Sequence, residues 1–164
     1  MDVQIKNLLD LIAQGVSPFH VVEAVKKQLD EAGFLRFDFG QVGKKEQGYY
    51  IDLGSTLFAF RINPNWGRHN LNSHASNKEN SVRIAAAHTD SPCFRLKPKA
   101  IIKNKKYRQL NLEVYGGMIR NTWMDRPLSL AGRVSCKGES AWKPKSYLLH
   151  IDRTILTIPN LAIH

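Results

Sequence analysis

The sequence predicts an α/β fold that passes, near residues 97–100, into a region of antiparallel β-strands. Three observations carry this expectation. Two helical patterns open the chain. A short run of small and β-branched residues, Val82–Ala87, has the texture of a buried central strand. From residue 95 onward, strand patterns follow one another with no helix between them.

The first helix is expected over residues 2–14, with Leu8, Leu9, Leu11 and Ile12 on one side and Gly15 ending it. Ser17 and Pro18 restart the helix as N-cap and first helical residue. Val21, Val22, Val25, Leu29 and Ala32 then keep a period near 3.6, and Gly33 stands where a terminating glycine belongs. Tyr49–Leu53 and Thr56–Arg61 read as strands joined by a turn at Gly54-Ser55. Residues 63–80, rich in Asn and Ser, read as a loop. In the C-terminal region Gln109–Tyr115, Leu128–Ser135 and Tyr147–Ile158 read as strands, with turns at Gly116-Gly117 and Lys137–Pro144.

Composition narrows the class. The 164 residues suit one domain or one and a fraction, and 43% hydrophobic with 23% charged residues describes a chain that folds in water. No run approaches the roughly 18 apolar residues of a membrane span. Asp2 and Asp10 interrupt the first apolar stretch, unlike a secretory signal. Two cysteines, Cys93 and Cys136, make no CxxC pair and no disulfide framework, so a cytoplasmic setting is expected. The net charge of +10 lies entirely in residues 83–164, which hold 15 Lys/Arg against 5 Asp/Glu. Seven of these cations, Arg95, Lys97, Lys99, Lys103, Lys105, Lys106 and Arg108, fall within fourteen residues. Only Tyr107 supplies an aromatic inside that run, so a solvated hairpin is favoured over a nucleic-acid patch.

The segment IAAAHTDSPCFRLKPKA, residues 84–100, carries the chemistry. Functional groups of α/β sheets gather beyond the carboxyl ends of strands, and His88-Thr89-Asp90 stands just beyond the expected strand. Two residues apart in extended chain, His88 and Asp90 point to the same side. A metal-binding imidazole needs its second nitrogen held, commonly by a carboxylate. By itself a His-x-Asp triplet is more often a hydrogen-bonded surface pair. His20, His69, His74 and His150 read as cap, loop and strand residues, and Cys93 as a small buried apolar group.

AAHTDSPCFRLKP closely resembles the metal-binding segment of the aspartyl aminopeptidase family of dinuclear zinc exopeptidases. SPFHVVEAVKKQLDEAGF is similar to that family's first long helix, YGGMIRNTWMDRPLSLAGRV to the most recognisable segment of its inserted domain, and ILTIPNLAIH to the segment that follows. The resemblance implies that residues 1–97 begin a zinc-exopeptidase α/β catalytic domain. It implies that residues 98–164 are part of an inserted antiparallel β-domain used for assembly. His88 matches the first zinc ligand, and Asp90 the carboxylate that orients it. His164 matches an active-site histidine, either a metal ligand or a substrate contact reaching a neighbouring subunit. Many eukaryotic members read WFDRDL where this chain has Trp123-Met124-Asp125-Arg126-Pro127-Leu128, so the local turn is expected to differ; Asp125 and Arg126 read as structural.

The implied activity is zinc-dependent removal of acidic or neutral N-terminal residues from peptides, with two zinc ions per complete site, by a homo-oligomer without membrane or nucleic-acid partners. The remaining ligands and the general base are expected beyond residue 164, so the 164-residue chain alone is expected to be inactive. Two other readings stand beside it: a basic β-module binding nucleic acid or an acidic partner, and an inactive assembly fragment.

Overall fold

The structure, a computed structural model, describes residues 2–40, 44, 46–63 and 82–161. The chain forms two compact units, residues 1–89 and 90–164.

In the first unit, α1 spans Val3–Gln14, and the Asp2 carboxylate caps it by accepting from the Gln4 N–H. Its apolar side stays open to solvent, with Leu8 56% and Ile12 64% exposed. Helix α2 spans Pro18–Glu31 with Ser17 as N-cap. Ser17 Oγ accepts from the His20 N–H at 3.4 Å and lies 2.7 Å from its Nδ1, so His20 belongs to the cap. The helix stops where Gly33 turns to φ 77°, a left-handed conformation that costs glycine little.

Three strands follow, β1 (Leu35–Arg36), β2 (Gly48–Asp52) and β3 (Leu57–Arg61). They make one sheet in that order, β1 parallel to β2 and β3 antiparallel to it. The buried apolar residues among those described are Val22 and Ala24 of α2 and Tyr49 and Tyr50 of β2. Ala24 was not part of the expected stripe; it is buried because α2 lies along β2, which the helical period alone does not locate.

Two polar ties fix α2 on β2. Tyr50 Oη donates to Asp30 Oδ1 at 2.9 Å, and this bond, with burial, raises the Tyr50 pKa. Lys26 Nζ lies 2.8 Å from Asp52 Oδ2 and 2.7 Å from Glu23 Oε1. Burial works against the charge on Asp52, but hydrogen bonds from Lys26 and the Gly54 N–H outweigh it and hold the carboxyl below its ordinary value.

One expected element is absent. Residues 82–88 form no strand, and Val82 is 70% and Ile84 84% exposed. A strand needs a hydrogen-bonded neighbour, and no described strand pairs with this run. Its apolar composition records a tendency to be buried, not the partner that would bury it. The expected loop at 63–80 lies, apart from Asn63, outside the described residues.

The second unit consists of two antiparallel hairpins. Strand β4 (Cys93–Asn104) pairs with β5 (Tyr107–Tyr115), and β6 (Leu128–Ser140) with β7 (Lys143–Leu156). Strand β4 begins at Cys93, so residues 93–100 belong to the hairpin. The basic run occupies this hairpin, with Lys103 facing Arg108 across the ladder. A short 3-10 turn, Arg120–Trp123, links the hairpins, and the Trp123 ring meets Phe94 edge-on at 5.5 Å. Asp125 adopts φ 53°; its N–H donates to the Ile158 carbonyl at 2.9 Å, and its Oδ1 accepts from the Asn160 N–H at 3.0 Å. It thereby joins the chain before β6 to the chain after β7.

The Lys26–Asp52 tie gives a pH prediction. The folded Asp52 pKa lies below the unfolded value, so its contribution is complete above about pH 4 and is lost as pH falls through the folded value. Chemical denaturation of Asp52→Asn at neutral pH is expected to show a loss of about 1–3 kcal/mol. The loss should shrink as the pH falls below about 4; a loss that does not change with pH would remove the ion pair from the account.

Candidate functional site

His88 follows the exposed run 82–87, and the chain bends at Thr89. The bend replaces the extended His-x-Asp geometry expected from the sequence. Thr89 Oγ1 donates to the Ser55 carbonyl at 2.7 Å, which ties the residue after His88 to the turn between β2 and β3. That turn is itself closed by the Leu53 N–H to the Thr56 carbonyl at 2.9 Å.

Asp90 opens the second unit and is held by residues the sequence reading did not connect with it. Tyr115 Oη donates to Asp90 Oδ2 at 2.5 Å. Tyr115 is the last residue of β5 and stands opposite Cys93 at the start of β4, so the ladder brings its phenol back to the segment just before β4. Arg95 lies two residues along from Cys93 on the same face, diagonal to Tyr115, and its Cζ sits 3.3 Å from the Tyr115 ring centroid. The hydrogen bond to Asp90, then the carboxylate charge, raise the Tyr115 pKa, with Arg95 working the other way.

The next residues reinforce the junction. Gly116 has φ 74°, and a Cβ there would stand 3.4 Å from Pro92. The Ser91-Pro92 turn and the Gly116-Gly117 turn, two separate motifs in sequence, are therefore in contact. The link between them is the register of β4 on β5; the hairpin was expected over the basic run, but not the pairing of Cys93 with Tyr115 that brings the two turns together. Cys93 is half-buried in this hairpin and Cys136 is exposed; both are free thiols.

The other histidines divide simply. His150 lies in β7 with Nε2 4.0 Å from Asp152 Oδ1. His164 lies outside the described residues, as do His69 and His74. An imidazole at His88 and a carboxylate at Asp90 are donor types that zinc accepts, yet a zinc site takes three or four ligands. Among the described residues no group of three or more His, Cys, Asp or Glu is assembled to hold a metal. The described residues thus fit one arm of a zinc site, not a whole one. None of the described helices is long and apolar enough to cross a membrane.

Comparison with known proteins bears on this segment. Residues 11–164 match the family model Peptidase M18, described as aminopeptidase I zinc metalloprotease. A probable M18 family aminopeptidase 2 of Clostridium acetobutylicum is 42% identical over 167 aligned positions, covering 97% of this chain and 35% of that protein. The chain thus spans about a third of the length of the curated relatives it matches. Among solved structures, Ape4 in a complex with Nbr1 is 35% identical with a TM-score of 0.81, over 95% of this chain and 29% of that one. The Saccharomyces cerevisiae mApe1 dodecamer shares the fold at 24% identity and a TM-score of 0.76, over 98% of this chain and 36% of that one. With a family match that spans α2, the HTDSP segment and both hairpins, the chain belongs to the M18 family of zinc metalloproteases.

Proposed function

We propose that the complete protein is a zinc-dependent aminopeptidase acting on peptides with acidic or neutral N-terminal residues, and that this chain is its N-terminal part. The match to the M18 family over residues 11–164 carries this reading. Residues 1–97 are assigned to the α/β catalytic domain and 98–164 to an inserted antiparallel β-domain; β5, β6 and β7 lie wholly in the second, and β4, from Cys93 to Asn104, crosses the division.

His88 is assigned as a zinc ligand and Asp90 as the carboxylate that orients its imidazole. Holding the imidazole in one tautomer and direction raises its worth as a ligand, an effect of about 10- to 100-fold in metal affinity. Two zinc ions, when bound, supply the Lewis acidity that polarises the scissile carbonyl and activates water. The remaining ligands and the general base are assigned to the part of the protein that the relatives have and this chain does not span. His164 is assigned to the same site, as a ligand or as a substrate contact.

Copies of the protein are proposed to assemble through the β-domain, with His164 reaching a neighbour's site. The dodecamer formed by the yeast relative supports assembly as the working state. Open strand edges at both hairpins are surfaces that a partner strand can cover.

Three measurements test this reading. In the complete enzyme, His88→Ala should abolish peptide hydrolysis and lower bound zinc; retention of both would overturn the assignment. The purified 164-residue chain should show no aminopeptidase turnover, and elemental analysis should find zinc bound well below stoichiometry, since one or two histidines do not complete a site. Robust turnover by the chain alone would mean that the catalytic groups lie within it. Finally, mixing inactive His88→Ala subunits with inactive His164→Ala subunits should restore partial activity after subunit exchange. A mixture that stays dead despite exchange would rule out a site shared between subunits.

A further inference from the structure

We infer that Tyr115 is a positioning residue: its hydroxyl, with the ring backed by Arg95, fixes the carboxylate of Asp90, the group assigned above to orient the His88 imidazole. The inference rests on the assignment of Asp90 made above. Asp90 sits in irregular chain between the bend at Thr89 and the bend at Pro92. Its side chain is tied to β5 through the Tyr115 Oη–Asp90 Oδ2 hydrogen bond. A phenol donating to a carboxylate makes a charge-assisted bond, stronger than a neutral pair. With Oδ2 bonded to Tyr115, the carboxylate is held against rotation.

Three features make Tyr115 suited to this role. The ladder pairs it with Cys93, so its backbone is anchored at the point where the segment carrying Asp90 enters β4. Arg95 covers its ring at 3.3 Å and restricts the ring's swing. Gly116 against Pro92 holds the two turns together beside it. The β-hairpin thus acts as a rigid backing for a carboxylate that lies outside it, in the way that outer partners orient metal-binding imidazoles.

The test is a double-mutant cycle in the complete enzyme, with zinc alone as the probe. Tyr115→Phe removes the donor and keeps the ring under Arg95. Its zinc dissociation constant is expected to rise roughly 10-fold, with thermal melting of the zinc-free protein within a few degrees of the parent. Excess zinc should restore its kcat, which damage to the fold would not allow. Combined with Asp90→Asn, Tyr115→Phe should add nothing, because both changes break the same link. If Asp90→Asn weakens zinc binding while Tyr115→Phe does not, or if the two losses add, the positioning role is overturned and the metal assignment stands. A fall in melting temperature that accounts for the lost affinity would make Tyr115 structural and overturn the proposal as well. Unchanged zinc binding in both Asp90→Asn and His88→Ala would instead remove the site itself.

Discussion

The seating of α2 on β2 is the contact on which the first unit depends. Val22 and Ala24 from the helix and Tyr49 and Tyr50 from the strand are its buried residues, and two polar ties, Tyr50–Asp30 and Lys26–Asp52, set the position of one element along the other. Burying apolar side chains supplies the driving force without direction, at roughly 25 cal/mol per Å². The hydrogen bonds supply direction, because each would leave a poorly solvated partner if α2 slid along the strand. From β2 the order passes to β3 through the turn at Gly54-Ser55. From Ser55 it passes to Thr89, and so to the residue beside His88. The position of the candidate ligand is therefore inherited from a helix more than fifty residues earlier in the chain.

The second unit is organised differently. None of its described side chains is buried, and Ile101, Val134, Tyr147 and Leu148 are exposed. Backbone pairing and a small number of point contacts hold it: Phe94 against Trp123, Asp125 across to Ile158 and Asn160, and Tyr115 to Asp90. Two-stranded hairpins are marginal in water without a further layer. Exposed apolar rows on such hairpins accord with the proposed assembly through this region. The Pro127 departure from the eukaryotic family pattern sits just after Asp125 and just before β6, where its missing N–H is not needed by a strand ladder.

Local chemistry made part of this legible in the sequence. Ser17-Pro18 and Gly33 bounded α2 because a cap, a fixed φ and a left-handed stop each act within one turn. Gly54-Ser55 marked the β2–β3 hairpin for the same reason. The HTDSP segment pointed to metal chemistry, and its resemblance, with that of three further segments, identified the family. The turn expected over 137–144 proved tighter, with β6 reaching Ser140 and β7 starting at Lys143, because paired strands run on wherever the ladder continues, whatever their polarity.

What tertiary structure alone decided concerns partners distant in sequence. Val82–Ala87 looked like a central strand from its composition, but a strand exists only with a neighbour, and the described sheet gives it none. A hairpin was expected over the basic run, but not the register of β4 on β5 that brings Tyr115 to Asp90, twenty-five positions apart. Sequence by itself determined the two helices, the first hairpin and the family, because each rests on adjacent residues or on a recognisable motif. The tertiary structure decided which side chain holds Asp90, because a hydrogen bond across a strand ladder depends on register, and register is a property of two segments together.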